Sequence, residues 1–221
     1  MNYTLKEKEW GAIFDTVLNT TSLYIKNNGR KKINERFYHH QFSSYLYKYF
    51  LKQNVNIWEE NLVYPEAKTE KSFNWSRIDI NNHEETRKNA IGQGKKGNLD
   101  FRIIQTRNHP IDLEWKGPDI YSKIDIIKVA LKLFSTQPTT TKIFSAIITS
   151  AEIATERHLL TIYNHFKEGL EFALEVLEIN PNELPEFYVY VATISETSII
   201  KCHWGKFNDL KINFTNNTVP R

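Results

Sequence analysis

The sequence predicts an α/β or α+β sandwich, a central mixed β-sheet flanked by helices, and three observations carry that expectation. Apolar residues recur at three- and four-residue spacings in four long segments, as amphipathic helices require. Residues 97–104 and 111–117 alternate apolar and polar side chains, the mark of half-buried strands. Residues 141–149 form a nearly continuous apolar run (Ile143, Phe144, Ala146, Ile147, Ile148), as a strand buried on both faces does.

In chain order, the first 30 or so residues read as a helix with Trp10, Ile13, Phe14, Val17 and Leu18 on one side, broken at Asn27, Asn28 and Gly29. A second helix spans residues 34–53, with Phe37, Phe42, Tyr45, Leu46 and Tyr49 apolar. Residues 62–66 form a short strand ending at Pro65. Residues 68–97 are polar and read as irregular, closing on a flexible glycine-rich loop at 92–97. Two site strands follow, joined by a turn at 105–110 containing Asn108 and Pro110. A helix over 120–134, the buried strand at 141–149, and a long amphipathic helix over 155–177 come next. Strands at 187–194 and 198–203, turning at 195–197, complete the order. No repeat or linker divides the chain, so residues 1–221 are expected to form one domain, with N-terminal helices over about 1–53 and a helix plus hairpin over about 155–205.

Composition excludes several classes. Apolar residues make up 40% and charged residues 25%, which is globular rather than disordered. The formal net charge of +3 does not by itself imply a polyanion partner. Lys31, Lys32 and Arg36, and then Arg87, Lys88, Lys95 and Lys96, form local basic clusters that read first as solvated surface. A single cysteine, Cys202, allows no internal disulfide and no cysteine-rich zinc site. No secretory leader is apparent, and no apolar run approaches the ~20 residues that span a bilayer, so a soluble, cytoplasmic protein without membrane contact is expected.

The informative segment is the central strand pair. Leu99, Phe101 and Ile103 are expected on one face with Asp100 and Arg102 opposite; Ile111, Leu113 and Trp115 face inward with Asp112, Glu114 and Lys116 opposite. Pairing the strands gathers carboxylates and a lysine on one surface, an arrangement suited to a hard divalent cation beside a phosphate.

Asp100, thirteen intervening residues, and then Glu114-Trp115-Lys116 resemble the D…ExK signature of the PD-(D/E)XK, or restriction-endonuclease-like, nuclease superfamily. The resemblance extends over the element order of residues 34–150, although Leu99 stands where the eponymous proline would be. It implies a three-layer restriction-endonuclease-like sandwich and a Mg²⁺-dependent endodeoxyribonuclease, with Mn²⁺ as a substitute. Asp100 and Glu114 would ligate the metal, the Trp115 backbone carbonyl would complete the protein ligands, and Lys116 would stabilise the developing anion. Many members carry a further glutamate on the preceding helix; Glu35 fits better than Glu59, Glu60 or Glu66. Asp112 is either a further ligand or a solvated strand residue, with the second reading preferred. His39 and His40 are either contacts to phosphate or proton shuttles, or exposed helix residues, with the last reading preferred; His158 and His165 read as surface or packing residues.

The partner implied is DNA, with Lys95, Lys96 and Lys123 as candidate contacts and residues 68–96 as the segment reaching it. A homodimer through the 155–177 helix or the terminal hairpin follows from the habit of such nucleases. The activity expected is an endonuclease of restriction, defence or mobile-element type. Two alternatives share the fold: a catalytically silent nucleic-acid or partner-binding module, and an effector nuclease gated by an activator.

Overall fold

The computed structural model describes residues 5–29, 33–53, 55, 63–106, 109–119, 122–136, 140–149, 155–195 and 200–206. Its frame is a six-stranded sheet whose strands lie side by side in sequence order: β1 (Val63–Phe73), β2 (Lys95–Thr106), β3 (His109–Lys116), β4 (Thr141–Ile148), β5 (Phe187–Ile194) and β6 (Ile200–Lys206). The pairings β1–β2, β2–β3 and β5–β6 are antiparallel, whereas β3–β4 and β4–β5 are parallel. The mixed sheet follows from the connections. Helices α4 (Lys123–Phe134) and α5 (Glu156–Leu177) serve as the crossovers that the parallel neighbours need, whereas antiparallel β1 and β2 are connected through residues 74–94.

Two apolar cores flank the sheet, giving three layers. One joins α1 (Glu7–Asn28) and α2 (Glu35–Lys52) to Phe101, Ile103, Leu113, Trp115, Ile143 and Tyr190. The other joins α4 and α5 to Leu99, Phe144, Ile148, Val189 and Val191. Helix α2 starts where Asn34 caps it, the Asn34 side chain accepting from the Phe37 amide at 3.1 Å. Its buried stripe is Tyr38, Phe42, Leu46 and Phe50, one residue every four, which shares Phe42 and Leu46 with the expected set. Phe37, Tyr45 and Tyr49 are only partly buried beside it. A short helix α3 (His83–Asn89) lies against α5, where His83 meets Glu175 at 2.6 Å.

Several expectations change. Strand β1 does not end at Pro65 but continues to Phe73, with Pro65 paired opposite Phe101. An edge strand accepts proline because an outward amide has no ladder bond to lose. Residues 68–97 are therefore largely structured, as the end of β1, α3 and the start of β2. The last strand begins at Ile200 and runs to Lys206. At the β2–β3 turn Thr106 pairs with His109. Arg107 and Asn108 lie outside the described residues, as do Lys31, Lys32, Glu59, Glu60, Leu62, Tyr121, Glu196 and Thr197. Among the described residues, no helix is long and apolar enough to cross a membrane.

The largest correction concerns β3. Its polar face is not solvated, because α4 covers it. Asp112 is fully buried. It is held by Arg102 through a two-pronged bridge, Nε to Oδ1 at 2.7 Å and the terminal nitrogen to Oδ2 at 3.1 Å. Lys142 donates to Oδ2 at 3.1 Å, and Thr136 closes the network on both Asp112 and Lys142. Burial pushes Lys142 down to about 8, against the pull of Asp112. Asp112 is thus a structural anchor with all its bonds internal. Asp112→Ala leaves two cations without their anion and is expected to cost ~3–5 kcal/mol in urea denaturation. A solvated residue would lose almost nothing.

Candidate metal centre

The site lies where β2 and β3 part. Their register runs from Thr106 opposite His109 to Phe101 opposite Leu113. Beyond it, the Trp115 amide donates to Asp100 Oδ2 at 2.6 Å. Both strands of the β1–β2 ribbon change sides here. Val63, Phe101 and Ile103 belong to the α1–α2 core, whereas Ala67 and Leu99 pack in the α4–α5 core. Leu99 is therefore buried as expected, but on the face opposite to Phe101. In β1, Glu66, flanked by the pairs Pro65–Phe101 and Ala67–Leu99, has φ of 52°. A left-handed residue there breaks the two-residue alternation of β1.

This turn brings the Asp100 carboxylate toward α2. Glu35 and His39 stand four residues apart on that helix and so share a face. Glu35, His39 and Asp100 each offer a ligand atom, and these atoms all lie within 4.8 Å of one another. His39 Nε2 lies 3.5 Å from Asp100 Oδ2. The same nitrogen is buried and makes no hydrogen bond. A buried imidazole nitrogen without a completed hydrogen bond is costly, and two carboxylates plus an imidazole form a donor set that divalent cations accept. The three residues fit a metal ion.

Two lysines border the trio, Lys116 on β3 and Lys132 on α4. Lys116 Nζ meets both oxygens of Glu35 on α2 at 3.1 Å. Glu114, fully buried, turns the other way: both its oxygens accept from Lys132 Nζ of α4 at 2.5 Å. Lys132 also donates to the Asn98 carbonyl at 3.0 Å. Burial disfavours the Asp100 anion, but the His39 imidazole alongside and the charges of Lys116 and Lys132 outweigh it and hold the carboxyl below its ordinary value. Glu114 moves oppositely. Burial, then the Asp100 charge, push it up to about 7 against the pull of Lys132 and Lys116. Burial also works against the Lys116 ammonium, yet Glu114, Asp100 and Glu35 more than offset it and raise its pKa. Lys116 is a cation at neutral pH.

Of the residues singled out from sequence, Asp100, Glu35 and Lys116 converge, and Glu114 lies beside them engaged by Lys132. Trp115 contributes an amide to Asp100 and is itself fully buried, stacked on Tyr38 with ring centroids 6.0 Å apart. Lys95 and Lys96 are exposed at the start of β2, while Lys123 pairs with Glu168 of α5 at 2.6 Å. His40 is exposed as expected, but His39 is half-buried in the site. Its signal was the four-residue spacing from Glu35. Lys132 carried no local signal, since its partner is eighteen residues away.

A group whose pKa rises on folding stabilises the protein fully below its unfolded value and ceases to do so as pH passes its folded value. For Glu114 that window runs from 4.5 to about 7. Between pH 4.5 and 7.5 the wild type should therefore lose stability relative to Glu114→Gln, by on the order of 3 kcal/mol at most, in urea denaturation at each pH. No protein-family model matches this chain, no curated protein matches it, and no solved structure matches it.

Proposed function

We propose that this chain is a metal-dependent nuclease of restriction-endonuclease-like fold, an endonuclease hydrolysing phosphodiester bonds in DNA. The observation that carries the reading is the convergence of Asp100, Glu35 and Lys116, from β2, α2 and β3, at one end of the sheet. The D…ExK spacing on adjacent central strands and the helix–sheet–helix layering support it.

Each group has work suited to its state. Asp100 is ionised at neutral pH, and with Glu35 and His39 it would hold the ion. A bound divalent cation supplies charge stabilisation to the scissile phosphate and acidifies a water. Lys116, charged and tethered to Glu35, offers a fixed ammonium to the oxyanion that develops on phosphorus. It is a poor proton acceptor for the same reason. Exposed Lys95 and Lys96 offer contacts to the phosphate backbone, which set affinity rather than sequence preference.

Plasmid cleavage with Mg²⁺ or Mn²⁺, compared with EDTA, tests the reading. Asp100→Ala should abolish metal-dependent cutting in a folded protein; retained cutting would remove Asp100 from the site. Lys116→Ala should slow the chemical step roughly 10²–10³-fold in single-turnover kinetics, with the metal requirement unchanged. A turnover equal to wild type would exclude Lys116 from the chemistry.

A further inference from the structure

Three oxygens surround one ammonium at the site's inner edge: both carboxylate oxygens of Glu114 at 2.5 Å and the Asn98 carbonyl at 3.0 Å from Lys132 Nζ. The lysine stem is confined as well. A Cβ added at Gly97 would approach Lys132 Cγ to 3.1 Å and Cδ to 3.2 Å, so the stem runs directly against the β2 backbone. The carboxylate is fully buried and the lysine side chain only 16% exposed. Nothing about this pair resembles a loose surface bridge. It is a charged pair with a complete set of internal partners, whose separation would strand two charges.

Beside it lies the opposite situation. His39 Nε2 is buried without a hydrogen bond, and Glu35, His39 and Asp100 bring three ligand atoms within 4.8 Å of one another. One carboxylate of the site is thus fully buried with its cation, whereas Glu35, paired with Lys116 at 3.1 Å, is 30% exposed, and the His39 nitrogen faces Asp100 at 3.5 Å without completing a hydrogen bond.

We propose that Lys132 is a built-in cation that withholds Glu114 from the divalent ion, so that the ion is held by Glu35, His39 and Asp100. Lys132 is then a positioning residue, and Glu114 is its anchor rather than a metal ligand. This departs from the ligand pair implied by the D…ExK resemblance, and it rests on the site being the metal centre proposed above.

Calorimetric titration of the full chain with MnCl₂ tests this without any nuclease substrate. His39→Ala should weaken Mn²⁺ binding by ~10-fold or more, and Glu114→Gln, which removes no ligand but leaves the Lys132 charge without its anion, should weaken it far less. Lys132→Met frees the carboxylate, so Mn²⁺ should bind more tightly or with a second ion per chain, and Lys132→Met/Glu114→Gln should reverse that gain. Circular dichroism establishes that each variant is folded; if Lys132→Met is not, the contrast between His39→Ala and Glu114→Gln decides. Weakening by Glu114→Gln comparable to that of His39→Ala overturns the inference while leaving the metal centre standing. Unchanged binding by folded Lys132→Met overturns it too. Failure of the wild type to bind Mn²⁺ overturns the metal centre and the inference together.

Discussion

Strand β3 carries two carboxylates into the interior, Asp112 and Glu114, both without solvent exposure. Each must meet a cation there, because an unpaired buried charge costs several kcal/mol. Asp112 draws Arg102 from β2 and Lys142 from β4. Glu114 draws Lys132 from α4. These pairings link β3 to its two neighbouring strands and to the helix above it. A β3 shifted by one residue would exchange its charged positions for apolar ones on both faces at once.

The same constraint separates structural from functional charge. Midway along β3 the buried Asp112 carboxylate is closed off, both its oxygens bonded by side chains of the protein. Toward the C-terminal end of the strand closure is incomplete. Lys116 and Asp100 remain partly exposed, at 14% and 15%, and the His39 nitrogen lacks a hydrogen bond. A closed network holds a fold together, whereas one with an open valence can admit a ligand. Charges of both kinds stand four residues or fewer apart on a single strand.

Much of this was legible in the sequence, because periodicity reports directly on burial. The extents of α1, α2, α4, β4 and α5, and the apolar residues that β3 buries, follow from apolar spacing. The D…ExK spacing located Asp100, Glu114 and Lys116 through resemblance, and helix position located Glu35. Three matters were not legible. Alternation predicts which residues share a face only while the strand is regular, and Leu99 and Phe101, flanking Asp100, pack on opposite faces. Polar residues on a strand read as solvated, yet α4 covers Asp112, and its countercharges come from residues ten and thirty positions away. Lys132 belongs to an ordinary amphipathic helix until the fold sets it against β2 and β3.

The aromatic bed beneath α2 has a consequence beyond packing. Trp115 stands between Glu114 and Lys116 and is stacked almost parallel to Tyr38, at an interplanar angle of 6°. Phe14 and Phe42 close around it with centroids at 5.4 and 5.6 Å. Tyr38 sits between Glu35 and His39 on the helix, and the Trp115 amide donates to Asp100 on the neighbouring strand. The ring pair therefore ties the two helix-borne donors to the strand-borne one, so the donor trio stands on the hydrophobic core, and a smaller side chain at position 115 would open a cavity directly beneath it.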